Sequence, residues 1–445
     1  MHQSAELAGF AAGLRVDAAP AAVVTKLRTN LLHNLGMLRA GALTGISSAG
    51  LAAALPYDGP SAATLLHDGT RTHRDRAVVA NAAMMHASAR DDTYLPAIAH
   101  LAVTSLPALL AVGETLDSSG ADLMAALLAS YEVGAAVGVD VGPACAARGF
   151  RPSSVLGGIA AAAGVARLLG LDAGRTASAI GLAAAFGGGT GQTWLAGTDE
   201  WQYQVGVAGR NGLLAAELAA SGAIAAPDSL EGAAGLYPAL TGSRTPHAAA
   251  AALGTRWRVL DVTYKPYPIC AINQMPVTVV VAMGTHFGYS GDQVDAVRVL
   301  LPPSEAAYPG TDRRGPFASA NGALMSAPFC LAAGILHGTV TRGMLEAVDD
   351  VAVTTLARRI EVVADPDLTP GRCRIVVHAD GTEHDSDTLP TPPGFDWTFA
   401  EVHRRLADAA DQRGLSDDAL QRLVDCIAEL EHRRVRDLVT AIVRE

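Results

Sequence analysis

Two short clusters of polar residues hold the side chains that could transfer a proton in this chain. The first runs from Asp91 to His100 and also contains Asp92, Thr93 and Tyr94. Imidazole has the ordinary pKa that suits general acid and base work near neutral pH, so His100 is the candidate catalytic group, and a structural histidine at the start of a helix is the alternative. Either carboxylate could orient this histidine or bind a substrate hydroxyl. Helix capping and turn formation are the alternative roles for the same carboxylates.

The second cluster is the segment YKPYPIC, residues 264–270, with Gln274 shortly after it. Its two prolines fix the backbone, so Lys265 and Tyr267 should be presented rigidly, and the amides of the helix that follows could bind an anion. Lys265, helped by Tyr267, is the alternative proton-transfer group. Gln274 can hold a carboxylate but cannot transfer a proton. Cys270 is either a substrate contact or a small buried apolar residue.

Two further side chains are weaker candidates for a role in catalysis or substrate binding. His86 lies inside an apolar stretch and is expected to be a core histidine with satisfied hydrogen bonds. Arg314 follows another arginine in a polar loop and could pair with a substrate carboxylate, although exposed arginines of this kind are more often solvated.

The elements on either side of the first cluster read as buried helices. Residues 78–87 are almost all apolar, with too little polar surface for an exposed helix, and a second apolar helix is predicted from about Leu101. The cluster therefore occupies a polar loop between two core helices. Such loops on a rigid scaffold are common locations for functional sites.

Composition and periodicity predict a mainly α protein. Half of the 445 residues are apolar, charged residues make up 17% and aromatic residues 5%. Strand patterns are confined to the region from about Arg256 onwards: RWRVLDVTYKPY, VDAVRVLLP, RRIEVVAD, and CRIVVHA with HDSDTL around a turn at Asp380-Gly381. The prediction is a discontinuous all-helical domain, 1–254 with 395–445, and a small α+β domain, 255–394.

Charge and cysteine content exclude several classes of partner and cofactor. A net charge of -11 argues against nucleic acid and anionic membranes. No convincing lipid-facing helix or secretory signal is visible, so a cytoplasmic protein is expected. The five cysteines form no Cys-x-x-Cys pair, metal-ligand spacing is missing, and the triple glycine 187–189 lacks the context of a phosphate loop. We therefore expect a small-molecule substrate and no metal, flavin or nicotinamide.

Three segments together resemble the MmgE/PrpD family. They are the spacing Asn-x4-His-x4-Asp-Asp-Thr-x2-Pro-x3-His from residue 81 to 100, TDEWQYQVGVAGRNGLLAAELAASG, and YKPYPIC. The family includes 2-methylcitrate dehydratase, cis-aconitate decarboxylase and iminodisuccinate epimerase. The resemblance implies a large helical domain, a small α+β domain, a homodimer, and cofactor-independent proton or leaving-group chemistry beside a carboxylate. It also implies that His100 and the segment 265–274 face one interdomain cleft.

The resemblance fails at three positions where the family's lyases carry ionisable groups. Ala89 replaces an aspartate, Trp201 or a neighbour replaces a lysine, and Gln274 replaces a histidine. An unpaired substrate charge in a partly dry cleft is costly. We therefore expect Trp201 and Gln204 to contact a substrate less charged than a tricarboxylate, and poor turnover of 2-methylcitrate and cis-aconitate. The alternative is a catalytically silent binding homologue.

Overall fold

The computed structural model describes residues 2–45, 48–55, 62–243, 250–409 and 412–443. The helices of the first half are α1 (Gln3–Gly13), α2 (Ala21–Ala42), α3 (Ser48–Ala54), α4 (Arg74–Ala87), α5 (Leu101–Leu116), α6 (Gly120–Ala147), α7 (Pro152–Leu168), α8 (Ala173–Ala185), α9 (Gln192–Ala196), α10 (Glu200–Ala220) and α11 (Leu236–Thr241). Two short antiparallel strands, β1 (Ala63–Thr64) and β2 (Arg71–Thr72), lie between α3 and α4. This half is almost entirely helical, as predicted.

Strands other than that short pair are confined to the second half of the described chain. The strands there are β3 (Val294–Leu301), β4 (Ile360–Ala364), β5 (Arg374–Ala379) and β6 (Thr382–Asp385). The helices there are α12 (Ala271–Phe287), α13 (Pro303–Ala306), α14 (Ala320–Ala323), α15 (Ala327–His337), α16 (Arg342–Glu346), α17 (Val351–Ala357), α18 (Phe399–Asp408), α19 (Asp417–Ala428) and α20 (Val435–Val443). The strand order is β4-β3-β5-β6, with β3 parallel to β4 and the other pairs antiparallel.

Contacts divide the chain into two compact units. One is helical and consists of Met1–Gly189, Trp201–Tyr264 and Asp396–Glu445; the other consists of Thr190–Glu200 and Lys265–Phe395 and contains the four-stranded sheet. The predicted fold class, a large helical domain with a smaller α+β domain, is confirmed. Residues 190–200 belong with the smaller unit because Ser319 donates to the carbonyl of Gly197 at 2.5 Å and Asn321 to Asp199 at 2.7 Å.

The strand predicted at RWRVLDVTYKPY does not form. Residues Arg258–Asp261 are a short 3-10 helix, and Glu132 of α6 accepts hydrogen bonds from the backbone N–H groups of Arg258 and Val259 at 3.1 and 2.9 Å. These bonds attach residues 255–264 to the helical unit, ten residues beyond the boundary predicted at 254. The hairpin predicted at Asp380-Gly381 is confirmed, and both residues have positive φ, 49° and 72°, as a tight β-turn requires.

The loop of the first polar cluster is held between α4 and α5 by close packing on α6. A short 3-10 turn, Leu95–Ala97, lies over Gly142 of α6. A Cβ atom added to Gly142 would come within 2.4 Å of the carbonyl oxygen of Ala97, so only glycine permits this approach. The sequence thus places a small residue where the loop must come close to a core helix.

Among the described residues, one helix, α6, is long and apolar enough to cross a membrane. Its most apolar window is 89% buried inside the helical unit. Burial of that extent is what a core helix shows, because a membrane span in an isolated chain would leave its apolar surface uncovered. We therefore regard α6 as the central core helix of the unit.

Candidate active site

A buried carboxylate joins two histidines in the helical unit. Asp91 Oδ1 lies 2.8 Å from Nδ1 of His86, and Asp91 Oδ2 lies 3.2 Å from Nδ1 of His100. The side chains of Asp91 and His86 are 0% and 2% exposed, whereas His100 is 15% exposed. The most accessible member of this trio is therefore the histidine that the sequence suggested for proton transfer.

The surroundings of His100 fix which ring nitrogen carries hydrogen. Nδ1 also lies 2.8 Å from the backbone carbonyl oxygen of Asp92 and 3.3 Å from Oγ1 of Thr93. A carbonyl oxygen only accepts, so the hydrogen-bond pattern assigns the hydrogen to Nδ1. In the neutral ring Nε2 is then the basic atom. The backbone N–H of His100 donates to Oγ of Ser153 at 3.1 Å, which fixes the start of α5.

Asp92 anchors the loop from inside the core. Its carboxylate accepts a hydrogen bond from the hydroxyl of Tyr131 on α6, and its backbone N–H donates to Oδ1 of Asn34 on α2 at 3.2 Å. Burial raises the pKa of Asp92 to about 6, and the nearby charge of Asp91 acts in the same direction. Burial also raises the pKa of Tyr131 well above its usual value. Asp92 thus holds His100 through its backbone, while its side chain is committed to the core.

Thr93 and Tyr94 shape the loop through their backbones. Thr93 exchanges backbone hydrogen bonds of 2.9 Å with Thr263, and the N–H of Tyr94 donates to the carbonyl of Ala99 at 2.9 Å. Tyr94 is 2% exposed, and burial raises its pKa to about 12. Their backbone bonds hold the loop that carries His100, and the hydroxyl of Thr93 lies beside the ring.

On the other side of His86 lies an arginine that the sequence did not single out. Arg151, which directly precedes α7, places Nη2 2.5 Å from Nε2 of His86. Its Nη1 donates to the carbonyl of Trp201 and lies 3.4 Å from Oε1 of Gln204. The indole of Trp201 meets the ring of His86 edge-on, with centroids 4.7 Å apart. Trp201 and Gln204 therefore lie at the far end of the cluster from His100.

The second predicted cluster lies in the smaller unit from Lys265 onwards, and Tyr264 belongs to the helical unit. Gln274 donates to the carbonyls of Tyr267 and Ile269 at 3.0 Å, and its Oε1 accepts from the N–H of Tyr267 at 3.1 Å. This amide therefore holds its own loop in shape. Lys265 is buried, and Tyr267 is half-buried. Burial raises the pKa of Cys270, against the effect of the nearby Lys265 charge.

The structure gathers part of the predicted site and leaves the rest as predictions. Asp91, Asp92, Thr93 and His100 converge in the helical unit. Arg314 is exposed, and the positions of Lys265, Tyr267, Cys270, Gln274 and Arg314 relative to His100 remain predicted. The substrate contacts assigned to these residues also remain predictions.

His86 is a buried histidine with hydrogen bonds at both ring nitrogens, as predicted, but its place in this cluster was not foreseen, and Arg151 and Tyr131 were missed. The signal for His86 was a titratable side chain in an otherwise apolar helix, five residues before a buried aspartate. Arg151 and Tyr131 offered no such local signal, because their partners lie 65 and 39 residues away.

No group of three or more His, Cys, Asp or Glu residues in the described chain could hold a metal ion. Within the cluster, the nitrogen and oxygen atoms of His86, Asp91 and His100 approach at hydrogen-bond distances. Nδ1 of His86 is hydrogen-bonded to Asp91, and Nδ1 of His100 is hydrogen-bonded to the carbonyl of Asp92.

Known proteins resemble this chain over most of its length. The MmgE/PrpD N-terminal domain matches residues 5–261 and the MmgE/PrpD C-terminal domain matches residues 267–408. A cis-aconitate decarboxylase-like protein, oryM, from Aspergillus oryzae is 26% identical over 459 residues, covering 96% of this chain and 94% of that protein. Cis-aconitate decarboxylase from Aspergillus terreus is 27% identical over 287 residues, covering 62% of this chain and 58% of that protein. These matches support lyase-type chemistry at the level of the family, and the chain belongs to the MmgE/PrpD family.

Proposed function

We propose that this protein is a cofactor-independent lyase or isomerase that transfers a proton at a carbon next to a carboxylate or carbonyl group. The observation that carries the proposal is the ring of His100, whose Nδ1 faces Asp91, the carbonyl of Asp92 and Thr93. This arrangement leaves Nε2 as the basic atom on the most exposed residue of the trio. A homodimer in the cytoplasm is the assembly and location we expect for it.

His100 would act first as a base. Nε2 takes the proton from the carbon, and the electron pair of the C–H bond passes into the adjacent carbonyl or carboxylate as an enolate. The imidazolium that forms is stabilised by the carboxylate of Asp91, 3.2 Å from Nδ1. The same ring can then return the proton to a leaving group, which completes an elimination, or to the carbon, which completes an isomerisation. For a decarboxylation, the protonated ring would supply the proton that replaces carbon dioxide.

The substrate we propose carries less charge than a tricarboxylate. At two positions where the family's lyases carry a charged or titratable side chain, this chain has the methyl group of Ala89 and a tryptophan that is 1% exposed and packs against His86. At the third, Gln274 already holds its own loop. Three negative charges would therefore lack these counter-charges, and leaving charges unpaired in a partly dry site costs several kcal/mol.

The alternative is a silent homologue that binds a ligand without chemistry. The hydrogen of His100 is fixed on Nδ1 by the carbonyl of Asp92, and Asp91 lies at ion-pair distance, an arrangement that suits proton transfer and that ligand binding alone does not require. Other bonds hold the loop, among them those from Tyr131 to Asp92 and between Thr93 and Thr263. The oriented ring therefore favours the enzyme.

The test is hydrogen exchange into candidate substrates. The protein is incubated in D₂O with hydroxy, unsaturated and oxo acids that carry one, two or three carboxylates, and each is followed by proton NMR. We expect exchange or elimination with a mono- or dicarboxylate, little with cis-aconitate, and loss of the reaction in His100→Gln but not in the exposed-residue control His432→Gln. Binding without exchange across the panel would favour the silent homologue.

A further inference from the structure

We propose that Arg151 is a positioning residue that keeps His86 neutral and so directs the Nδ1 hydrogen of His86 to Asp91, the carboxylate that lies 3.2 Å from His100. The catalytic consequence rests on the proposed function. The protonation pattern itself does not, because it is a property of the protein without substrate. Nothing in the sequence pattern or in the matches to relatives assigns a role to this arginine.

The guanidinium of Arg151 is fixed in place. It is 2% exposed and lies at the junction of α7 and α10. Its backbone N–H donates to the carbonyl of Gly189 at 3.0 Å, and its Nη1 donates to the carbonyl of Trp201. Proline at the first position of α7 fixes the backbone that follows. The contact with His86 is therefore part of the folded core.

The contact determines the state of His86 because arginine has only donors. Nη2 of Arg151 lies 2.5 Å from Nε2 of His86, so Nε2 must be the acceptor and cannot carry hydrogen. The hydrogen of the neutral ring then lies on Nδ1 and is donated to Asp91 at 2.8 Å. The other carboxylate oxygen of Asp91, Oδ2, lies 3.2 Å from Nδ1 of His100 at ion-pair distance, and the Nδ1 hydrogen bond of His100 goes to the carbonyl of Asp92 at 2.8 Å. The hydrogen bonds thus run from Arg151 through His86 to Asp91, whose carboxylate is the ion partner of His100.

The charges around His86 also favour the neutral form of its ring. Arg151 and Asp91 are a buried cation and a buried anion separated by one imidazole. Protonation of His86 would place a second cation against the guanidinium, which opposes it. Asp92, whose protonated form burial favours, and the phenol of Tyr131 are the other titratable groups beside this carboxylate. Without the guanidinium the charge of Asp91 would be uncompensated, and buried charges in that position tend to be neutralised.

A lysine at position 151 could not make the same two contacts. The planar guanidinium contacts Nε2 of His86 with one nitrogen while the other bonds the carbonyl of Trp201. An ammonium group is a single point charge on a flexible stem and does not reproduce this fork. Arg151→Lys should therefore keep the charge and lose the fixed tautomer, whereas Arg151→Gln should lose the charge and keep a donor.

The experiment is NMR of the substrate-free protein with ¹⁵N-labelled histidine, which reports the tautomer and titration of each ring. Signals are assigned by their loss in His86→Gln and His100→Gln. In the wild type we expect His86 to remain neutral with hydrogen on Nδ1 from about pH 5.5 to about pH 8.5, the range in which an ordinary histidine titrates. In Arg151→Gln we expect His86 to begin to titrate and the signals of His100 to move.

The control is Arg167→Gln, which changes an arginine of the same helix outside the cluster and should leave both histidines unchanged. The proposal is overturned if His86 titrates in the wild type, if its hydrogen lies on Nε2, or if a folded Arg151→Gln leaves both rings as they were. Where Arg151→Gln fails to fold, Arg151→Lys takes its place, and a His86 that keeps its hydrogen fixed on Nδ1 in that variant overturns the proposal. A neutral His86 in a protein that exchanges no substrate proton would refute the proposed function and leave this inference standing.

Discussion

Asparagine at position 91 would change one oxygen of the buried carboxylate to a nitrogen and leave the shape of the side chain intact. In the wild type Oδ1 of Asp91 accepts from His86 at 2.8 Å, and Oδ2 lies at ion-pair distance, 3.2 Å, from Nδ1 of His100. An amide offers one acceptor oxygen and one NH₂ group, so the NH₂ group must face one of the two histidines. Because Arg151 occupies Nε2 of His86, the ring of His86 keeps donating from Nδ1. The NH₂ group is therefore left facing His100.

The expected losses of turnover and of stability follow from the contact between this NH₂ group and His100. His100 would either leave its place or reverse its tautomer against the carbonyl of Asp92, and its imidazolium would lose the ion partner. General acid–base catalysis contributes about 10²–10⁴ in rate. We expect turnover by Asp91→Asn to fall about 10³-fold, which corresponds to about 4 kcal/mol of barrier. The free energy of unfolding should fall by only about 1–3 kcal/mol, the usual scale for one mismatched buried hydrogen bond.

The assay is exchange or turnover of the substrate found in the acid panel, with a urea titration of the same preparation. Asp122→Asn, which changes a half-exposed aspartate on α6, is the control and should behave like the wild type. Turnover by a folded Asp91→Asn within about tenfold of the wild type would refute the orienting role, because the effect would lie below the range for a lost acid–base partner.

Three further predictions concern the core around the site. Burial raises the pKa of Glu132 to about 7, so the folded state holds its proton more tightly than the unfolded chain. This contribution to stability is fully present below about pH 4.5 and is lost as pH rises through about 7. Between about pH 5 and pH 8 the free energy of unfolding, measured by urea titration, should therefore fall further in the wild type than in Glu132→Gln, by on the order of 3 kcal/mol. An equal fall in the two proteins would contradict this. Ala89 has φ of 53°, so Ala89→Gly should raise the free energy of unfolding by up to about 1 kcal/mol, and a decrease would show that the backbone is not strained there. Tyr131→Phe removes the donor to Asp92 and should lower the free energy of unfolding by about 1–3 kcal/mol, with a further rise in the pKa of Asp92 measurable by carbon NMR; an unchanged pKa would exclude the hydrogen bond.

Local sequence patterns were sufficient to predict the helices that carry the site. Apolar helices on both sides of residues 88–100, and the turn at Asp380-Gly381, follow from periodicity and turn chemistry within a few residues. The strand predicted near Arg258 failed because Val259 and its neighbours read as β, while the backbone bonds that decide their conformation come from Glu132, more than 120 residues earlier. Long-range bonds of this kind override local propensity.

The chemistry of the site was only partly predictable for the same reason. His100 stood out because an imidazole suits acid–base work near neutral pH and because the family resemblance places a histidine there; the residues alone fitted a structural histidine at a helix start equally well. His86 looked like an ordinary core residue, since nothing near it in sequence shows that Arg151 reaches its ring. The direction of the hydrogen bonds at His86 depends on that distant partner and becomes visible only in the fold.

The central claim is that the imidazole of His100 moves the substrate proton, and the direct test is a paired measurement of exchange rates in His100→Gln and Lys265→Met. The account predicts a loss of about 10²-fold or more in His100→Gln, the usual scale for losing a general acid or base, with a thermal midpoint close to that of the wild type. Near-normal exchange in His100→Gln together with abolished exchange in Lys265→Met would contradict it and assign the proton transfer to the lysine.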